Sequence, residues 1–284
     1  MSEARTVVSQ MDEDVAGDVA VALKAVPDVD RCRVSVVIPT LNEAENLPHV
    51  FSRLPTDLHE VILVDGGSRD NTVEVARALY PTIRIVPQDG RGKGNALACG
   101  FAACSGDIIV MLDADGSADP GEIPLFVEAL TSGADFAKGS RRLPGGGSAD
   151  ITRFRGAGNM ALTGVVNVLF GTSYSDLCYG YNAFWTRCLP HLDVDCDGFE
   201  VETLINIRLA RTELVVKEVP SFEHLRIHGS SNLRPVRDGL RCARTIMKER
   251  FRSTARSVRV AYVNTAAAGH DDLVLEALEP GAAG

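Results

Sequence analysis

Two aspartates one residue apart, in Asp113-Ala114-Asp115-Gly116, follow the apolar run 108–112. Carboxylates so placed can hold a hard divalent ion, Mg²⁺ or Mn²⁺, against a diphosphate. Such an ion would neutralise charge developing on a departing nucleoside diphosphate, which is Lewis-acid help to a leaving group. The same residues also read as an acidic turn, with Asp115-Gly116 as ordinary turn chemistry.

Three further stretches carry polar groups of the right kind. In Asp65-Gly66-Gly67-Ser68-Arg69-Asp70 a carboxylate can accept from a base N–H or a ribose hydroxyl while the glycines permit close approach. The alternative is capping, with Asp70 or Ser68 starting a helix at Asn71. Pro39-Thr40-Leu41-Asn42-Glu43 offers a carbonyl, a hydroxyl and an amide, with a capping role open for Asn42. Gly90-Arg91-Gly92-Lys93-Gly94-Asn95 offers cations and backbone amides to a diphosphate, although its spacing departs from that of a phosphate loop.

What must position these groups is a sheet. The β-branched runs 34–38, 60–65, 82–86 and 108–112 are each followed by a helix-compatible segment, so the fold class is α/β, a doubly wound and mainly parallel sheet. The runs are apolar throughout rather than alternating, as expected when helices cover both faces. In such sheets ligands bind beyond the carboxyl ends of the strands, where the polar stretches fall.

Residues 33–140 thus read as a Rossmann-like half, expected to be the nucleotide-binding one. The glycine-rich stretch 143–148 reads as a mobile loop beside the site. The second half, 141–261, continues with a helix at 152–170, a strand at 182–186, a helix at 200–210 and a strand at 215–219, and is expected to supply acceptor-binding surface. Residues 31–261 make one catalytic domain, between poorly ordered tails at 1–30 and 262–284 that are rich in Ala, Gly and acids.

Composition narrows the function classes. With 45% hydrophobic and 24% charged residues the 284-residue chain is ordinary globular protein. A formal net charge of -9 disfavours nucleic acid, which needs a basic surface. Seven cysteines show neither CxxC pairs nor a regular framework and read as reduced thiols. The first thirty residues lack a basic stretch followed by an apolar core, and the longest apolar run falls short of the roughly 20 residues that span a bilayer. The expectation is a cytoplasmic protein.

Together, and in this order, the four stretches resemble the family 2 inverting glycosyltransferases with the GT-A fold, and among them the polyprenol-phosphate (dolichol-phosphate) mannosyltransferase-like branch. The resemblance covers residues 33–250. It implies a nucleotide-sugar donor, GDP-mannose or a UDP-hexose, bound by Pro39, Thr40, Asn42, Glu43, Asp65 and Gly67. Where the family has Asp-Asp-Gly-Ser this chain has Asp65-Gly66-Gly67-Ser68, one carboxylate fewer. The resemblance further implies that Lys93, Gly94, Ala114, Arg141 and Ser230 face the donor and that Asp113 and Asp115 bind the metal. Arg226-Ile227-His228-Gly229-Ser230-Ser231-Asn232-Leu233 is similar to the family's Arg-x-x-Gly-x-Ser-Lys-Leu, with Asn232 in place of Lys, and implies that Arg226 and Ser230 or Ser231 face the diphosphate.

Inverting transfer is a single in-line displacement. A lipid-phosphate acceptor is already anionic and needs no strong base, whereas a hydroxyl needs a carboxylate to take its proton. Glu200 and Glu202 stand at the expected start of a helix. Carboxylates there also simply complement its dipole, and the resemblance selects Glu202 as the catalytic residue beside Asp115 and Arg226. Polyprenyl phosphate is the favoured acceptor, with a soluble hydroxyl, on a small metabolite or saccharide, as the alternative.

The basic segment 233–259, from Leu233 through Arg259, sets Val236, Leu240, Ala243, Met247 and Phe251 at helical spacing beside Arg237, Arg241, Arg244, Lys248 and Arg252. Two readings stay open: a helix lying on an anionic membrane at the inner face, or one packing its apolar side on the core. His191 and His224 read as structural, and His228 as a phosphate contact. Tyr179, Tyr181 and Trp185 fit sugar stacking or core packing alike. A nicotinamide dehydrogenase would carry GxGxxG after the first strand, where this chain has no glycine. A nucleotidyltransferase would show a glycine-rich loop there. A non-catalytic nucleotide-sugar-binding homologue is the remaining alternative, opposed by Lys93, Asp113, Asp115 and Arg226.

Overall fold

A computed structural model describes residues 32–252. The expected tails at 1–30 and 262–284, and the end of the basic segment at 253–259, lie outside the described residues.

In chain order the elements are β1 (Val34–Thr40), α1 (Leu47–Phe51), β2 (Glu60–Asp65), α2 (Thr72–Leu79), β3 (Arg84–Pro87), α3 (Gly92–Ala103), β4 (Ile108–Met111), α4 (Ile123–Thr131), β5 (Phe136–Ser140), β6 (Gly147–Ser148), α5 (Arg153–Phe170), β7 (Asn182–Trp185), α6 (Leu189–Leu192), α7 (Val201–Leu209), β8 (Val216–Pro220), β9 (Phe222–Glu223) and α8 (Pro235–Phe251).

Seven strands form one sheet in the order β3-β2-β1-β4-β7-β5-β8. Consecutive residues Val36, Val37 and Ile38 are all fully buried. Because neighbouring side chains of a strand point to opposite faces, both faces of the sheet are covered. α3 packs on β1, β2 and β3, and α4 on β5, β7 and β8.

The sheet is mainly parallel, with one reversal: β7 runs antiparallel between β4 and β5. The register sets Thr40 opposite Asp65 and Val37 opposite Met111. The ends of β1, β2 and β4 therefore open on one edge, and all the polar stretches of the first half gather there.

Strand β5 has no clear signal in the sequence, because Lys138 and Gly139 interrupt its apolar character. It is nevertheless buried along its length. The Lys138 ammonium is satisfied by the carbonyls of Gly139 and Asp176 and lies 3.6 Å from Glu218. The stretch 143–148, expected as a mobile loop, is instead partly strand. Gly147 and Ser148 pair with Phe222 and Glu223 in a two-stranded sheet, and the Ser148 hydroxyl donates to Glu223.

Helix α7 is buried on every side, including Glu202, Thr203, Asn206 and Arg208. Such a helix is central to a packed core rather than laid over it. Arg208 binds Glu249 of α8 at 3.1 Å and Asp195 at 2.6 Å, which ties α8 to this central helix.

Candidate active site

The loop after β4 brings Asp113 to the sheet edge, and the first turn of α3 aims Lys93 at it. The Lys93 ammonium lies 2.7 Å and 2.9 Å from the two oxygens of Asp113 and 2.8 Å from Glu202, in the first turn of α7. Burial opposes the ammonium charge, but Asp113 and Glu202 together hold Lys93 well above its ordinary range. Burial pushes the Glu202 carboxyl up, with Lys93 opposing and Asp113 adding to the rise.

Two glycines let α3 approach closely enough for this. A Cβ on Gly92 or Gly94 would meet the backbone carbonyls of Asp197 or Cys196 at 2.1 and 2.2 Å, and Gly92 adopts φ +82°. The Gly94 N–H is given to the Asp197 carbonyl at 2.9 Å. These glycines seat the segment before α7 against the start of α3, so that Lys93 and Glu202 converge.

Asp115 sits in a second cluster. Its one oxygen accepts from the Ser117 N–H and hydroxyl at 2.9 and 2.6 Å. The other lies 2.9 Å from Arg226, whose guanidinium also donates to Glu43 at 3.0 Å. Asn46 completes the group, its amide donating to Glu43 at 2.5 Å and its oxygen accepting the His228 N–H at 2.9 Å. Desolvation raises the Glu43 carboxyl above its ordinary range, with Asn46 and Arg226 opposing.

Both clusters line one cavity of about 940 Å³, together with Pro39, Thr40, Ala114, Arg141 and Ser230. Asn42, Asp65, Gly67 and Gly94 are not brought to its wall. Asp65 accepts the N–H groups of Gly67 and Ser68, and Asn42 accepts the Arg69 N–H at 2.7 Å, so these residues shape the loop after β2. Asp70 accepts from Thr72 and Ala44, tying that loop to the one after β1.

Elsewhere in the lining the Arg141 fork is already filled. It binds Asp176 at 2.7 and 2.9 Å and Glu223 at 3.0 Å, and stacks 4.7 Å over the Tyr179 ring. Tyr181 stacks on Phe126, and Trp185 is core, its indole N–H donating to the Ala134 carbonyl. Tyr179 and Tyr181 still contribute to the cavity wall. Glu200 is turned away toward Arg241, 3.9 Å distant.

Gly180 escaped the sequence reading. A Cβ there would lie 2.6 Å from Lys93 Nζ, 3.1 Å from Glu202 and 3.2 Å from Asp113, so the cluster closes only over a glycine. Asp176 was missed too, since nothing in its local sequence announces the arginine it holds. Cys178-Tyr179-Gly180-Tyr181, just before the apolar strand β7, was the available signal.

The model of the glycosyl transferase family 2 matches residues 35–186. The chain belongs to this family. It is 33% identical over 217 residues to a dolichol-phosphate mannosyltransferase of Pyrococcus furiosus, which covers 71% of this chain and 59% of that protein. With an undecaprenyl-phosphate mannosyltransferase of Micrococcus luteus it shares 32% over 200 residues, 66% of this chain and 82% of the relative. Thus the chain spans about three fifths of the Pyrococcus protein and four fifths of the Micrococcus one. Among solved structures, glucosyl-3-phosphoglycerate synthase of Mycobacterium tuberculosis, crystallised with Mn²⁺, UDP and glucosyl-3-phosphoglycerate, superposes with a TM-score of 0.63. It is 22% identical over 81% of this chain and 86% of that one, a likeness of fold. The α/β architecture is accordingly that of the GT-A glycosyltransferases.

Carboxylate oxygens are the donor chemistry a hard cation takes, and here Lys93 holds both oxygens of Asp113 while Ser117 and Arg226 hold those of Asp115. Asp113 and Asp115 supply carboxylate oxygens at the cavity wall, and among the described residues no third His, Cys, Asp or Glu gathers with them. Mg²⁺ is commonly held by one or two carboxylates with substrate phosphates completing the shell.

Proposed function

We propose that this chain is a metal-dependent inverting glycosyltransferase that moves a hexose from a nucleoside diphosphate to the phosphate of a polyprenyl acceptor. The observation that carries the reading is the alternation Glu202–Lys93–Asp113 and Asp115–Arg226–Glu43 around a single cavity at the strand ends. Each cation there is held between carboxylates, so an incoming diphosphate can take up Arg226 while Asp113 and Asp115 turn to a metal. Mg²⁺ or Mn²⁺ bound there would supply Lewis-acid stabilisation of the leaving diphosphate. Pro39, Thr40 and Ser230 are assigned to the donor as parts of the same wall, and Asn42, Asp65, Gly67 and Gly94 to holding its loops.

An acceptor phosphate is anionic at neutral pH and attacks without a protein base. Glu202 then serves to fix Lys93 beside the reacting centre. The relatives' names, a dolichol-phosphate and an undecaprenyl-phosphate mannosyltransferase, support this acceptor. So does helix α8, whose exposed Val236, Leu240, Met247 and Phe251 stand beside Arg237 and Arg244. No helix among the described residues is long and apolar enough to cross a membrane. The proposed location, supported by the exposed apolar and basic side chains of α8, is a peripheral seat on the cytoplasmic face of the membrane.

One observation favours a second reading. Glu202 is a buried carboxyl whose proton affinity is raised within the cavity, a property suited to deprotonating a soluble hydroxyl acceptor. Transfer assays with GDP-mannose and UDP-hexoses, Mn²⁺ or a chelator, and either undecaprenyl phosphate or soluble hydroxyl acceptors decide between them. Metal-dependent transfer to the lipid phosphate is expected, falling at least about a hundredfold in Asp115→Ala. Transfer only to a hydroxyl would select the second reading, and turnover unaffected by the chelator or by Asp115→Ala would remove the metal assignment.

A further inference from the structure

Asn46 stands at the start of α1, where an asparagine side chain commonly accepts from the first N–H groups of its own helix. It makes no such bond. The side chain is buried, at 2% exposure, and is spent instead on a residue 182 positions further along the chain. Its oxygen accepts the His228 N–H at 2.9 Å and its amide donates to the His228 carbonyl at 3.2 Å. One side chain thus takes both backbone groups of one residue, as a neighbouring strand would.

The segment held in this way is a surface one. Every residue from Ile227 to Asn232 is exposed, and Gly229 takes φ +77°. The entry to the segment is pinned by the His224 N–H on the Ser117 carbonyl, 2.8 Å, and the Ile227 N–H on the Asp115 carbonyl, 3.3 Å. Asn46 fixes it again just beyond Arg226, so the arginine is carried between two anchored points.

Asn46 and Arg226 also share Glu43. The guanidinium lies 3.0 Å from one carboxylate oxygen and the Asn46 amide 2.5 Å from the other. A guanidinium that turns to a diphosphate leaves Glu43, and a buried carboxylate stripped of its partners is costly. The amide remains on the second oxygen, and the backbone remains where His228 is fixed. Arg226 can therefore exchange carboxylate for phosphate without its loop coming away.

We infer that Asn46 is a positioning residue for the donor: it holds the loop after β9 so that Arg226 is delivered to the diphosphate. The inference rests on the donor role proposed for Arg226 and adds the residue that sets it.

The test is calorimetry of UDP and GDP, each with Mn²⁺, on the parent, Asn46→Ser, Arg226→Ala and the double variant. Serine suits a helix start as well as asparagine does, so α1 should persist, but it is too short to take both backbone groups of His228. Thermal melts verify the fold, and Asn46→Ala, which removes all of the side chain's bonds, repeats the comparison. Arg226→Ala is expected to weaken the nucleotide that the parent binds by about tenfold or more, since a charged hydrogen-bond donor is lost. Asn46→Ser should weaken it about tenfold in the parent and less than about twofold where Arg226 is absent. A residue that merely supports the fold would give the same factor in both backgrounds. Hydrogen exchange supplies an independent reading: the amides of 225–232 should exchange faster in Asn46→Ser, with those of β1, β2 and β4 unchanged. If the Asn46 variants bind like the parent, or lose the same factor with and without Arg226, or leave exchange over 225–232 as it was, the assignment of Asn46 is wrong and the role of Arg226 stands. If Arg226→Ala binds like the parent, or the parent binds neither nucleotide, the role of Arg226 and the positioning inference fall together.

Discussion

The Lys93 ammonium lies 2.8 Å from the Glu202 carboxylate, joining the first turn of α3 to the first turn of the fully buried helix α7. Removing one partner of a buried pair leaves the other charge uncompensated, which costs more than the pair itself contributes. Lys93→Met is therefore expected to lower stability by about 3 kcal/mol, and the double variant Lys93→Met with Glu202→Gln to recover part of that loss. Urea denaturation of the single and double variants reads the difference. Additive losses would show that the two groups act independently.

Gly180 gives a prediction that separates the site from the scaffold. Its missing Cβ is what lets Lys93, Asp113 and Glu202 share one point, while the neighbouring Tyr179 and Tyr181 are already packed. Gly180→Ala is expected to displace the Lys93 ammonium and to lower kcat by about tenfold to a hundredfold, with a change in Tm of only a few degrees. Steady-state kinetics alongside a thermal melt checks this, and unchanged kcat would remove the three-way contact from the mechanism.

Asp176 predicts a pH dependence. Burial would raise its carboxyl, but the Arg141 fork, Lys138 and Asn159 overcome this and bring it down to about 2 from an ordinary 3.8. A carboxyl depressed in the folded state stabilises the fold above its unfolded value, and the contribution is lost as pH falls through the folded one. Asp176→Asn should therefore cost about 3 kcal/mol at neutral pH, with the gap between parent and variant narrowing as pH drops from about 4 towards 2. Denaturant midpoints across that range measure it. A gap constant with pH would show that the carboxylate charge contributes nothing.

Helix α8 predicts salt-sensitive binding to anionic vesicles. Arg237 and Arg244 are exposed beside Val236 and Leu240. A basic residue at an anionic surface contributes about 1 kcal/mol, so the double change Arg237→Ala with Arg244→Ala should weaken association by roughly thirtyfold. Sedimentation with phosphatidylglycerol vesicles tests it, and equal binding by variant and parent would end the membrane assignment.

Much of the fold was legible because a buried parallel strand writes itself as an apolar run with polar residues at its end. β1, β2 and β4 read this way, with Glu43, Asp113 and Asp115 at the cavity wall and Asp65 turned instead into its own loop. β3 begins two residues later than its run suggests, since Pro81 and Thr82 form a turn. Contacts between distant segments were not legible. That Arg141 would be filled by Asp176 and Glu223, or that Glu43 would share Arg226 with Asp115, depends on where the folded chain brings residues far apart in sequence. The amphipathic pattern of α8 located its apolar stripe but not the side it buries. Asp238, Cys242, Ile246 and Glu249 face inward, with Arg208 drawing in Glu249 and the Arg234 N–H held by Asp238, and the apolar stripe is left outside.

Arg226 and Glu43 lie 183 residues apart in the chain and meet at 3.0 Å. During synthesis the carboxylates after β1 and β4 emerge long before their guanidinium partner does. A nascent chain halted before β9 would hold Glu43 and Asp115 without the arginine that answers both, while Lys93 could already pair with Asp113. On the donor role proposed for Arg226, competence to hold a diphosphate would be reserved for chains whose last third has folded back onto the first.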